Sequence, residues 1–190
     1  LHLCSHNLES IDTKSTAKHD LLAEVCMAAK YEGGLIKTHY TPHQETYSDS
    51  AAELCTVLAR SFADIGDIVR GRDLYLGKKK KKQNVKETET ERDQLESKLK
   101  DIFKEIHENL GTQDAKKHYK DGAPEFYKLR EDWWNNNRLM VWIAMTCGAG
   151  QNDKYFRKTC SNDTSDTKEK CRCTIHGVPT YFDYVPQYLR

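Results

Sequence analysis

No stretch of this sequence could cross a bilayer as a helix. Its longest strongly apolar run, Met140 to Met145, falls far short of the roughly 20 residues a span needs. The start, "LHLCSHNLES", lacks a basic region followed by an apolar run, so no secretory signal is read there. A phosphate-binding glycine loop and a serine-centred elbow are both missing, which removes the commonest nucleotide and hydrolase signatures. There is no internal repeat, and no alternation of apolar and polar residues that would support a sheet of any size. An excess of one charge is also lacking. The formal net charge is +1 although 31% of the residues are charged, so a charged partner has to be attracted by a local patch. At 190 residues the chain suits one domain or a piece of a larger one, with enough length to bury a real core. It is expected to be a soluble ectodomain, a cytosolic protein or an internal fragment.

What is present is mostly helical pattern. In "STAKHDLLAEVCMAAKYEGG" the apolar set Leu21, Leu22, Val25 and Cys26 describes one short amphipathic helix that stops at Gly33 and Gly34. In "SDSAAELCTVLARSFADIGDIVRGRD", Ser48 or Asp49 offers an N-cap, and Leu54, Val57, Leu58, Phe62, Ile65 and Val69 lie on one stripe. A third helix carries Leu95, Leu99, Ile102, Ile106 and Leu110 at steps of three and four, with a charged outer face and a stop at Gly111. A fourth is predicted from near Pro124 to Gly148, where Trp133, Trp134, Met140, Val141, Ile143 and Ala144 cover more than one stripe. Such a helix packs against neighbours on two sides. The chain thus divides into a first helical portion (1–77), a variable charged loop (78–93), and central helices with a cysteine-rich loop (94–190).

Seven cysteines, Cys4, Cys26, Cys55, Cys147, Cys160, Cys171 and Cys173, are many for a cytosolic chain of this size and read as a disulfide framework. Their pairing does not follow from spacing, and the odd count leaves one without an internal partner. The polar segment between Cys147 and Pro186 has too few apolar residues to order itself without such bridges. Zinc is the alternative, with Cys160, Cys171, Cys173 and His176 as four potential ligands, but a single Cys-x-Cys lacks the second knuckle of structural zinc sites. A cysteine–histidine hydrolase would need a thiolate beside an imidazole, and no such pair stands out. His39 and His43 are four apart, with Pro42 between them arguing against one helical face. The pattern calls for no cofactor and no metal.

Two features are candidate binding surfaces. "LREDWWNNNRLMVWIAMTCGAG" sets Arg130, Glu131 and Asp132 beside Trp133 and Trp134, which is either a sugar platform with carboxylates or a helix core ringed by ion pairs. Adjacent carboxylates on a helix point a quarter turn or more apart and do not flank one scissile bond, which favours the second reading. The other is the run Lys78, Lys79, Lys80, Lys81 and Lys82, with Arg70 and Arg72 at the end of the preceding helix. It is either a solvated loop or a docking strip for an anionic polymer such as a sulfated glycan. The acidic segment from Glu87 to Asp93 could instead fold back and neutralise it. Nucleic acid is not expected as a partner, because no nucleic-acid module surrounds the strip.

Four blocks, "LLAEVCMAAKYEGGLIKTHY", "LCTVLARSFADIGDIVRGRDLYLG", "KLREDWWNNNRLMVWIAMTCGAG" and "CRCTIHGVPTYFDYVPQYLR", in this order resemble the Duffy-binding-like domains of malaria parasites. The similarity is to the alpha type, found at the N-terminal head of erythrocyte membrane protein 1, and it spans essentially the whole chain. It implies an all-α, disulfide-stabilised domain with long ordered loops, here truncated at both ends, in which Trp133, Trp134 and Trp142 are core. It further implies an adhesion module without catalysis, belonging to a membrane-anchored variant surface antigen on the outer face of infected erythrocytes. Cytoadhesion or rosetting, host surface receptors, red-cell glycans, heparan sulfate and neighbouring adhesion domains are the partners it implies. Four cysteines downstream of "DIGDI" resemble a more cysteine-rich subtype.

Overall fold

In the computed structural model, residues 17–47, 51–73, 91–120, 125–160, 164–174 and 177–190 are described. They form five α-helices: α1 (Ala17–Tyr47), α2 (Ala51–Arg70), α3 (Glu91–Glu108), α4 (Gln113–His118) and α5 (Tyr127–Met145). Two single-turn 3-10 helices follow, at Phe182–Tyr184 and Gln187–Leu189. Among the described residues there are no strands, only isolated bridges within the cysteine-rich segment. The Ser48 and Asp49 caps, Cys4, His176, Pro124 and the lysine run lie outside the described residues.

α5 is the central element and packs on α1, α2 and α3. It buries Leu129, Arg130, Trp133, Trp134, Val141, Trp142 and Met145, a set too wide for one stripe, as its two-sided composition predicts. α2 runs antiparallel to it: the Val69 carbonyl meets Arg130, Gly66 faces Trp134, and Phe62 sits between Trp134 and Trp142 at ring-centroid distances of 5.1 and 5.2 Å. Gly66 is a fitting residue here, because a Cβ would stand 2.8 Å from the Trp134 ring. On α3 the predicted stripe holds at Leu95, Leu99, Ile102 and Ile106. Phe103 joins them, edge-on to Trp133 at 6.1 Å.

Several expectations are corrected. α1 does not stop at Gly33 and Gly34 but runs on to Tyr47, 31 residues in all, through Pro42, which has no N–H to offer the Thr38 carbonyl. Gly33 serves contact instead of termination: a Cβ there would lie 2.0 Å from the backbone oxygen of Met145, so α1 and α5 approach at a point where only hydrogen fits. Val57 lies off the buried stripe of α2, 36% exposed, whereas Cys55, Ala59 and Ala63 are buried. α3 ends at Glu108, before Leu110, and α4 was not anticipated because its six residues bury no apolar side chain.

Two disulfides fasten the long segment after α5. Cys55–Cys171 joins the N-terminal part of α2 to it across 116 positions, and Cys160–Cys173 closes a short loop of 13. All four sulfurs are therefore committed, and Cys160, Cys171 and Cys173 cannot act together as zinc ligands. Cys26 and Cys147 are unbridged among the described residues, and burial raises the Cys26 thiol pKa. Trp142 Nε1 donates to the Cys171 carbonyl at 3.1 Å, and Arg172 reaches back to Thr146 Oγ1 (2.7 Å) and the Ile143 carbonyl (2.6 Å). A polar stretch is thus held by sulfur and by hydrogen bonds to the end of α5 rather than by a core of its own.

Two pairs of variants test this packing. Gly33→Ala should lower stability in denaturant unfolding by on the order of 1–3 kcal/mol, because the obstructing atom is backbone. Gly34→Ala meets nothing within 4 Å and should be neutral or stabilising by up to about 1 kcal/mol. Replacing both cysteines of Cys55–Cys171 by alanine should cost more than doing so at Cys160–Cys173. On chain entropy alone the costs are nearer 5 and about 3 kcal/mol.

Candidate functional site

The "REDWW" stretch is built into the interior. Arg130 is fully buried and donates Nε to the Val69 carbonyl (2.6 Å) and Nη2 to that of Ile68 (3.0 Å), while Glu96 of α3 accepts from Nη1 and Nη2 at 2.7 and 2.9 Å. Those carbonyls belong to the last turn of α2, where the helix leaves acceptors without partners. Gly71 completes the end: at φ +70° it takes the left-handed conformation that glycine favours, Gly71 N–H bonds the Ile68 carbonyl and Arg72 N–H that of Asp67. Asp132 accepts from the Tyr119 hydroxyl at 2.8 Å, and Glu131 pairs with both Arg70 (3.3 Å) and Arg72 (2.8 Å). This is a helix core ringed by ion pairs, and the two carboxylates share no open cleft.

A second buried network centres on Asp183. Its carboxylate accepts from Trp134 Nε1 (2.9 Å) and from Arg138 Nε and Nη2 (2.9 and 2.7 Å), and its backbone carbonyl accepts from Arg70. Arg70 also donates to the Gly66 carbonyl (3.0 Å) and to Asp67 (3.2 Å). Arg190 pairs with Asp64 at 3.2 Å and with Asp67. Burial pushes the Arg70 guanidinium pKa below its ordinary value, and Glu131 opposes that shift. These contacts pin the segment after Thr180 onto α2 and α5. Arg138 further lies between Tyr181 and Tyr184, 5.8 and 5.1 Å from their ring centres.

The residues singled out from sequence therefore separate. Trp133, Trp134 and Trp142 are buried core. Arg70, expected at the surface beside the lysine run, is 1% exposed with its donors engaged inside, which removes it as a contact for an outside polyanion. Arg72 does face solvent, with its side chain 55% exposed. Among the described residues no group of three or more His, Cys, Asp or Glu is placed to hold a metal ion. No helix there is long and apolar enough to cross a membrane.

The sequence reading passed over a second basic stretch, "KKHYK" at 116–120, which the fold sets beside Lys128. Lys117, His118 and Lys120 at the end of α4 and Lys128 at the start of α5 are all exposed, and Lys128 Nζ lies 3.4 Å from His118 Nδ1.

An all-α core joined by buried guanidinium–carboxylate contacts, with a cysteine-stapled segment laid over it, defines the class of disulfide-stabilised helical domain. The chain belongs to the Duffy binding domain family, whose model matches residues 1–190. No curated protein matches it. Among solved structures it is similar to the NTS-DBL1(alpha-1) domain of Plasmodium falciparum membrane protein 1 (PfEMP1) from the varO strain. That match has 42% identity and TM-score 0.75, covering 99% of this chain and 40% of that one. The NTS-DBL1-alpha and CIDR-gamma double domain of the same P. falciparum strain matches at 41% identity and TM-score 0.78, over 99% of this chain and 25% of that one. A PfEMP1 DBLbeta domain, IT4var13, solved bound to ICAM-1, matches at 30% identity and TM-score 0.66, over 99% and 40%. The chain thus spans two fifths or less of the length of these relatives.

The tryptophans can be told apart by their N–H groups. Trp134 Nε1 bonds Asp183, whereas buried Trp133 Nε1 has no hydrogen-bond partner. Trp134→Phe leaves an acceptor short and should cost about 1–3 kcal/mol more than Trp133→Phe in denaturant unfolding. Trp133→Ala should still lose on the order of 3–5 kcal/mol through the cavity it leaves.

Proposed function

We propose that this chain is part of a host-receptor-binding adhesion module, carried by a variant surface protein on the outer face of infected erythrocytes and serving cytoadhesion or rosetting. The observation that carries this reading is the 30% identical match, over 99% of the chain, to a domain solved with ICAM-1 bound. The interior is consistent with it. The buried carboxylates Asp67 and Asp183 are each matched to guanidinium groups and serve the scaffold, leaving chemistry to the surface. A stiff core with a variable exterior is what a binding module requires, since ordering costs are then met before the partner arrives.

Host cell-surface proteins are the partners on this reading, with neighbouring adhesion domains contributing in the longer protein. A sulfated glycan of the red-cell or endothelial surface is the second reading. It is favoured by five consecutive lysines, Lys78 to Lys82, following exposed Arg72. Displaying the oxidised full-length domain on beads and measuring capture of endothelial cells, red cells and purified ICAM-1 tests the first reading. Capture of at least one, abolished when the disulfides are reduced, is the expected outcome. Absence of capture by the oxidised domain from every surface would remove the adhesion assignment.

A further inference from the structure

Arg172 differs from the other arginines that this fold holds in place. Arg70, Arg92, Arg130, Arg138 and Arg190 each meet a carboxylate at a joint between elements. Arg172 is half-buried and is held by neutral acceptors: Nε donates to the Thr146 hydroxyl (2.7 Å) and Nη2 to the Ile143 carbonyl (2.6 Å). Among the described residues it makes no salt bridge. The nearby carboxylates of its own segment, Asp166 and Glu169, are exposed, and Lys168 and Lys170 balance them. Glu169 shares a backbone bridge with Arg172, yet the two side chains do not pair. On α5 the residues opposite, from Leu139 to Met145, carry no charge.

Beside this guanidinium lies a surface cavity of about 180 Å³ between α5 and the stapled segment. Leu139, Trp142 and Ile143 line it from the helix, and Cys173 and Thr174 from the segment. Its volume is comparable to the roughly 150 Å³ of an engineered apolar cavity that takes up benzene. The walls are fixed in advance. Trp142 is buried and bonded to the Cys171 carbonyl, and Cys171 and Cys173 are both bridged. Met140, next to Leu139 in sequence, is 52% exposed and offers an adaptable apolar surface nearby. A preformed apolar hollow with one convergent polar group is the usual form of a recognition pocket.

We propose that this pocket receives an apolar side chain of a protein partner, and that Arg172 pairs with a carboxylate next to that side chain in the partner's sequence. The proposal rests on the adhesion reading, which supplies a host surface protein as the source, and adds the chemistry by which it is held. Filling the hollow removes apolar surface from water, and the carboxylate gives Arg172 the counter-charge that the five other arginines already have. A polyanion does not fit, because one guanidinium at an apolar hollow offers a single charge and no strip of them.

The test titrates the oxidised, isotope-labelled full-length domain with acetyl-Phe-Glu-amide and with acetyl-Phe-Gln-amide, following the indole N–H resonance of Trp142. Both peptides should shift it at millimolar concentration, the acid binding roughly threefold to tenfold more tightly. Thr174 is exposed at the pocket, so replacing it spares the core. Thr174→Glu supplies a carboxylate from the chain itself and should remove the preference for the acid, whereas Thr174→Gln, of nearly the same size, should keep it. Equal affinity of the wild type for the two peptides overturns the proposal. So does the absence of any shift, the result expected if the chain's own Ile175 fills the hollow. Bead capture of ICAM-1 and of host cells by the same proteins separates this inference from the adhesion reading. Capture weakened by Thr174→Glu and kept by Thr174→Gln supports the pocket as a receptor contact, and capture equal in both overturns that role. Absence of capture by the wild type, with the acid preference intact, counts against the adhesion reading alone.

Discussion

A guanidinium withdrawn from water must find acceptors for its donors, and Arg130 makes four hydrogen bonds to two other helices. It takes two carbonyls from the final turn of α2 and both oxygens of Glu96 on α3, while its own backbone lies in α5. One side chain therefore closes a helix end, carries an ion pair and fixes the relative height of three elements. Removing one partner of such a contact leaves a buried charge uncompensated, which costs far more than the contact contributes net. Phe103 lies under the same guanidinium at 5.6 Å, and Gly71 keeps the chain close enough for the contact to form. Register is what this arrangement provides: apolar stripes tolerate sliding, whereas a fork of donors meeting named acceptors does not.

The aromatic layer beneath depends on that register. Phe62 fits between Trp134 and Trp142 only with α2 and α5 aligned as they are, and Gly66 admits the Trp134 ring only at that height. The Asp183 network repeats the device farther along α5, where an indole N–H and Arg138 meet its carboxylate and Arg70 meets its backbone carbonyl. The Cys55–Cys171 bridge then carries the same alignment into a segment that has little apolar content.

Helix existence was legible from periodicity because the stripes on α2, α3 and α5 are long and apolar. Termination was less so. Gly33 and Gly34 read as a stop, since glycine is an ordinary helix end, yet Gly33 is there because another backbone passes it. That reason is tertiary, and no local pattern encodes it. Arg70 looked like a surface cation for the same cause: its acceptors Asp183 and Glu131 lie far along the chain. α4 could not be found by burial, having none. The role of the "REDWW" tryptophans came from resemblance and from helix geometry together, and the buried positions of Trp133 and Trp134 agree with both. The pairing of Cys55 with Cys171 and of Cys160 with Cys173 was not available from spacing, because four or more cysteines admit several connectivities.

Asp73 and Arg92 lie 3.0 Å apart, a charge contact between the end of the α2 turn and the start of α3. The chain thus departs from and returns to the scaffold at one point, immediately beside the Arg130 joint. Chain entropy makes each doubling of a closed segment cost only about 0.6 kcal/mol, so residues can be gained or lost between these two positions with little effect on the helices.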